Sequence, residues 1–192
     1  MDPVLHAVRI KGIATPEAVA VATGATPEEV AARLAALADD ELVVERQSRK
    51  RPGWVATAAG RERHAADLAA AHDADARSAL EDHYAGFLAV NAGVKGLAAR
   101  WQAAPDDAAR MAILDELDEL HDRARPALTG AGAVAPRFAA YGERLDAALD
   151  QLESDARYFV SPTVDSYHTV WFECHEDFLL TLGRTRAGEG SE

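Results

Sequence analysis

The feature that most constrains this chain is a device used twice, eleven residues apart: Thr15-Pro16-Glu17 and Thr26-Pro27-Glu28. In each, the threonine hydroxyl can accept from amides of a first helical turn. The proline lacks an N–H that would be unsatisfied there anyway, and it fixes φ for the first helical position. Glu29, three residues after Thr26, completes a capping box, and Gly24 can take the positive φ of a tight helix C-terminus. The consequence is helix, turn, helix. A shorter helix precedes it from Pro3 to about Ile10, with Val4, Leu5, Val8 and Ile10 at helical spacing and Gly12 as its stop.

After the second helix the period changes. ELVVER and WVAT are short β-type runs, and the polar QSRKRPG between them carries the proline and glycine of a turn, so a hairpin wing is expected. Thr57 can cap a further alanine-rich helix through GRERHAADLAAAH, in the role of a linker.

From Arg77 onward the pattern is helical throughout. Leu80, Tyr84, Phe87, Asn91, Val94, Leu97 or Ala98, and Trp101 lie on one stripe. Pro105-Asp106-Asp107 restarts the chain, with Ile113, Leu117, Leu120 and Ala124 as the next stripe and a turn expected at Pro126 and the glycines of LTGAGA. A third helix holds Phe138, Tyr141, Leu145, Ala148 and Leu152. A fourth, opening at Ser161-Pro162, holds Val164, His168, Trp171, His175, Phe178 and Leu182. The expected fold class is mainly α: an N-terminal winged helix-turn-helix with a small β-hairpin wing over residues 1–75, an antiparallel four-helix bundle over 76–186, and a flexible tail over 187–192.

Charge divides the same way. Residues 1–63 hold nine Lys or Arg and nine Asp or Glu, so the whole net charge of −12 falls on the remainder. Such a chain cannot coat nucleic acid or an anionic membrane over its whole surface, and any basic contact must be local. Cys174 is the only cysteine, which excludes an intrachain disulfide or a cysteine-based zinc site and fits a reducing, cytoplasmic setting. The start MDPVLHAVRIKG reads as no export signal, and no run of about 18 apolar residues suggests a membrane span.

The densest basic cluster is the wing tip, where Arg46, Arg49, Lys50 and Arg51 stand with no acid between them. A loop of this kind can lay guanidinium and ammonium groups on phosphates or into a minor groove, releasing counterions. Polarity alone is the ordinary property of a hairpin tip; four cations beside a helix-turn-helix favour DNA. The second helix of that motif offers Thr26, Glu28 and Arg33 to the duplex. Glu28 or Glu29 could accept from a cytosine amino group, although a glutamate there also serves capping and the helix dipole.

In the helical region, Tyr84, Asn91, His168, Trp171 and His175 are candidates to line a small ligand pocket. His168 and His175 sit seven residues apart, about 10 Å along a helix, too far to hold one metal, and no H-E-x-x-H spacing occurs, so no metal is expected. Cys174 has no neighbouring cation in sequence, and Glu173 and Glu176 would raise its pKa, so it is expected to be passive. No nucleophile with a partnered base and no phosphate-cradling glycine loop is present, so neither catalysis nor a cofactor is expected.

The order helix, TPEAVAVATG, TPEEVAARLAALADDELV, basic wing and TAAGRERH resembles the MarR-like winged-helix transcriptional regulators over roughly residues 3–66. FLAVNAGVKGLAARWQ and VDSYHTVWFECHEDFLLTLG resemble a helical region of actinobacterial regulator-like proteins, also found as an appended tail on some phosphoenolpyruvate-utilising phosphotransferases. The first resemblance implies DNA binding through the helix beginning near Thr26 and through the wing near Arg49 to Arg51. The body of the phosphotransferases has no counterpart here, so only a regulatory role is implied by the second. The expectation is a homodimeric regulator of transcription on double-stranded DNA, open to a small-molecule effector through its helical domain. The alternative is a winged-helix protein-interaction module that regulates a metabolic enzyme without specific DNA binding.

Overall fold

A computed structural model describes residues 1–185. The expected tail over 187–192, and the end of the expected helical domain at residue 186, lie outside the described residues. The chain divides into two compact units. One comprises Met1–Asp73 together with the segment from Leu179, and the other is Ala74–Phe178. The sequence placed the boundary at residue 75 and kept everything up to 186 in the second unit. Among the described residues no helix is long and apolar enough to cross a membrane.

The first unit has the element order α1 (Pro3–Lys11), α2 (Pro16–Thr23), α3 (Pro27–Asp39), β1 (Val43–Arg46), β2 (Gly53–Ala56) and α4 (Ala58–Ala71). Each of its helices starts on a side-chain cap: Asp2, Thr15, Thr26 and Thr57 accept from the amides of Leu5, Ala18, Glu29 and Gly60. Gly24 ends α2 in the left-handed conformation, φ 69°, so the chain can turn at once into α3. The apolar faces of α1, α2 and α3 close on one core through Leu5, Val8, Val19, Val30, Leu34 and Leu37, with Val43 of β1 sealing it. β1 and β2 pair antiparallel with Val43 opposite Ala56 and Arg46 opposite Gly53. A bridge that sequence did not suggest adds a third partner: Ala14 and Trp54 exchange both backbone hydrogen bonds, at 3.0 and 2.8 Å. The hairpin is thereby fastened to the α1–α2 connection.

The second unit holds α5 (Ala74–Ala103), α6 (Asp107–Val134), α7 (Arg137–Leu152), the short α8 (Arg157–Val160) and most of α9 (Tyr167–Thr181). Two expectations are corrected. The turn expected at Pro126 and LTGAGA does not occur there, because α6 runs through Pro126 and both glycines to Val134. Pro126 sits on the exposed side of the helix, where a carbonyl left without its amide partner meets solvent. The glycines serve close approach instead of a turn: a Cβ on Gly130 would collide with the His83 ring, and one on Gly132 would lie 3.1 Å from Ala139. The last helix does not open at Ser161-Pro162 either. Residues 162–165 are turns, and the helix begins at Tyr167. Val164 is therefore outside it, and Tyr167 takes the inward position expected of His168.

Candidate functional site

The wing is built to hold its cations outward. Gly53 sits at φ 149°, and a Cβ there would meet the Ala14 carbonyl oxygen at 2.8 Å, so only glycine lets the second strand return this close to Ala14. Within the loop, the Ser48 amide donates to the Arg46 carbonyl at 3.2 Å. The Ser48 hydroxyl accepts from the amides of Lys50 and Arg51 at 3.4 and 3.5 Å, a turn that arranges the tip. Arg46, Arg49, Lys50 and Arg51 are all exposed, and among the described residues none of these four side chains is paired with a carboxylate.

The neighbouring α3 presents a different surface. Thr26 is occupied by its capping box: its amide donates to Glu29 Oε2 at 2.8 Å and its hydroxyl to the same oxygen at 3.0 Å. These bonds, the backbone one first, hold the Glu29 carboxyl below the usual carboxylate range. Glu28 is exposed in the first turn. Arg33, the helix's one cation, is turned to Asp2, with Nε 2.6 Å from Oδ2. Asp2 is engaged on both oxygens, because Oδ1 caps α1 through the Leu5 amide at 2.8 Å. The other exposed residues of the helix are Pro27, Glu29, Ala31, Ala32, Ala35 and Asp39. Of the seven residues singled out for DNA, the wing four are exposed together, Arg33 is committed elsewhere, and Thr26 and Glu28 lie at a helix end with no cation beside them on that face.

The five pocket candidates of the helical unit are only partly brought together. Tyr84 and His175 share a hydrogen bond of 2.9 Å, and Trp171 donates to Asn91 Oδ1 at 2.9 Å. Phe87 stacks on Trp171 with ring centres 4.2 Å apart. These side chains are buried and fill the interior rather than lining an open cavity. His168 is separate from them: it is half-buried against Phe172 at 4.6 Å, and burial holds its imidazole below the usual range.

Beside that apolar cluster lies a charged one. Arg144 reaches Asp165 through two nitrogens at 2.8 and 2.6 Å and Glu173 at 2.7 Å. Burial alone would lower its pKa, but the bonds to both carboxylates outweigh it and keep the guanidinium protonated. Arg137 Nε lies 3.0 Å from the fully buried Asp177, which also accepts from the Tyr141 hydroxyl at 3.3 Å. Burial first, and then Asp177, push the Cys174 thiol well above its ordinary value, so it stays a thiol. Nothing in the spacing of the sequence marked these arginines, because each ion pair joins different elements.

An open groove lies between α6 and α7. One basin of about 670 Å³ is lined by acidic and aliphatic side chains of both helices, and a second of about 410 Å³ adjoins it at Arg125 and Asp146. His121 lies at the second basin, with Nε2 2.8 Å from Asp146 Oδ1 and Nδ1 3.3 Å from the Tyr167 hydroxyl. An Arg125 nitrogen is also 3.0 Å from that Nε2, but with the Nε2 proton given to Asp146 it is a neighbouring charge and not a donor to the ring. The sequence pattern alone did not single out this groove. Its signal was the recurrence of acids at three- and four-residue spacing in both helices.

Among the described residues no three His, Cys, Asp or Glu side chains are grouped to hold a metal ion. No protein-family model, no curated protein and no solved structure matches the chain.

Proposed function

We propose that this protein is a DNA-binding regulator of transcription whose wing grips the phosphate backbone. The observation that carries the reading is the wing tip: four exposed cations without carboxylate partners, held by Ser48 and the Ala14–Trp54 bridge beside a helix-turn-helix. Phosphate contacts from such a tip supply affinity without sequence information. The MarR-like order of elements supports the same reading. Two copies on one duplex would multiply the few contacts of a single wing, so a homodimer is part of the proposal.

The composition of α3 shapes what kind of binder this is. Base readers on a recognition helix are commonly Arg, Lys, Asn or Gln. Here the exposed residues are Glu28, Glu29, Asp39, Pro27 and alanines, and Arg33 is held by Asp2. Affinity is therefore expected to come from the wing and to discriminate weakly among sequences. The same face favours a second reading, a winged-helix module that docks on a metabolic enzyme without specific DNA binding.

Replacement of Arg49, Lys50 and Arg51 by alanine separates them. Retention on duplex DNA should fall sharply, and the slope of log affinity against log salt should flatten by about 0.9 for each phosphate that is no longer neutralised. Unchanged retention and slope would remove the wing from the mechanism. Partner capture that survives the triple change would favour the second reading.

A further inference from the structure

The groove between α6 and α7 combines two properties that seldom share a surface. Asp115 and Asp118 of α6 face it from one side, and Asp146 and Asp150 of α7, with Glu153 just beyond, face it from the other. Its floor is aliphatic, formed by Leu114, Leu149 and the buried Leu152, and Met111 stands at its edge 59% exposed. Arg125 is the one cation among the lining residues, and it is already shared between Asp146 at 3.5 Å and Asp122 at 3.7 Å. Negative charge in the groove is therefore left without an equal countercharge.

We propose that this groove is a binding site for an amphipathic organic cation, a molecule with an apolar body and a positive centre of small-drug size. The volume of about 670 Å³ falls in the range of small-molecule sites. The aliphatic floor takes the body, and carboxylates on both walls take the charge. A hydrated metal ion would leave the floor unused, and no three ligands are grouped to hold one among the described residues. An anion would be repelled from both walls.

The titration of Asp118 agrees with this. Partial desolvation at the groove wall raises the carboxyl of this exposed residue above the usual range, His121 offsets part of that, and Asp115, Asp122 and Glu153 add repulsion. A bound cation would relieve that repulsion. The binding itself stands apart from the DNA reading. Only its use as an effector site rests on that reading.

The test is calorimetric titration of the full chain, without DNA, using tetraphenylphosphonium as the probe and tetraphenylborate as the anion of the same shape. Saturable binding of the cation at one per chain is expected, with none of the borate. Replacement D118N with D150N should weaken the cation by about tenfold or more. Both positions are exposed, and circular dichroism verifies the fold of the variant. No saturable binding, equal binding of the two ions, or an affinity unchanged in the variant would each overturn the proposal. Displacement of the probe by magnesium at matched ionic strength would also overturn it, since that marks an ion atmosphere and not a site. Failure here leaves the salt dependence of DNA retention untouched, so the two readings fail separately.

Discussion

Arg144 shows how a single side chain can hold several elements at once. It joins α7 to Asp165 in the turn before α9 and to Glu173 within α9, and it is 11% exposed. Its loss removes the guanidinium that Asp165 and Glu173 share. Breaking a buried pair from one side costs about 3–5 kcal/mol, so Arg144→Ala should lower the urea midpoint by a large fraction of the total stability. Asp118 works in the opposite direction. Its folded pKa lies above its unfolded one, so the protonated form is the stabilised one. That contribution is fully present below the unfolded pKa and is lost as pH rises through the folded pKa. Asp118→Asn should therefore melt higher than the parent at neutral pH, with the difference shrinking as pH falls to about 4, near the ordinary carboxylate pKa. Equal melting at both pH values would contradict the account of the groove. Cys174, buried and held as a thiol, should react with a disulfide reagent only after denaturation.

At the scale of elements, helix starts were legible and helix ends less so. Thr15, Thr26 and Thr57 announced their helices because a cap is a local event, completed within three residues. Thr26→Ala should cost about 1 kcal/mol in thermal unfolding of the first unit. Glycine was ambiguous, because a turn and a close approach both call for it. Gly24 is a turn, whereas Gly130 makes room for His83, and only tertiary structure separates the two. Gly60 belongs with Gly130: a Cβ there would collide with the Leu42 carbonyl. Gly60→Ala should thus destabilise by at least the 1–3 kcal/mol or so typical of overpacking, although alanine is the better helix former. An unchanged melting temperature would show that α4 does not pack as described. The Ala14–Trp54 bridge and the ion pairs of Arg144 were not legible, since their partners are far apart in sequence. The wing was legible because its four cations fall within the six residues 46–51.

For the whole molecule, charge is segregated along the chain, with a neutral N-terminal part ahead of an acidic remainder that supplies the net −12. Five acids of that remainder, Asp115, Asp118, Asp146, Asp150 and Glu153, line the α6–α7 groove, where they disfavour a polyanion and favour a cation. Function was less legible than fold because affinity for phosphate needs only exposed cations, and those occur on many hairpins. The most direct test of the central claim is amide chemical-shift mapping of the full chain titrated with a short duplex. Salt-sensitive shifts are expected at residues 46–53 and at the start of α3 near Thr26, with none at residues 107–153. Shifts confined to the helical unit, or none at the wing at low salt, would contradict that claim.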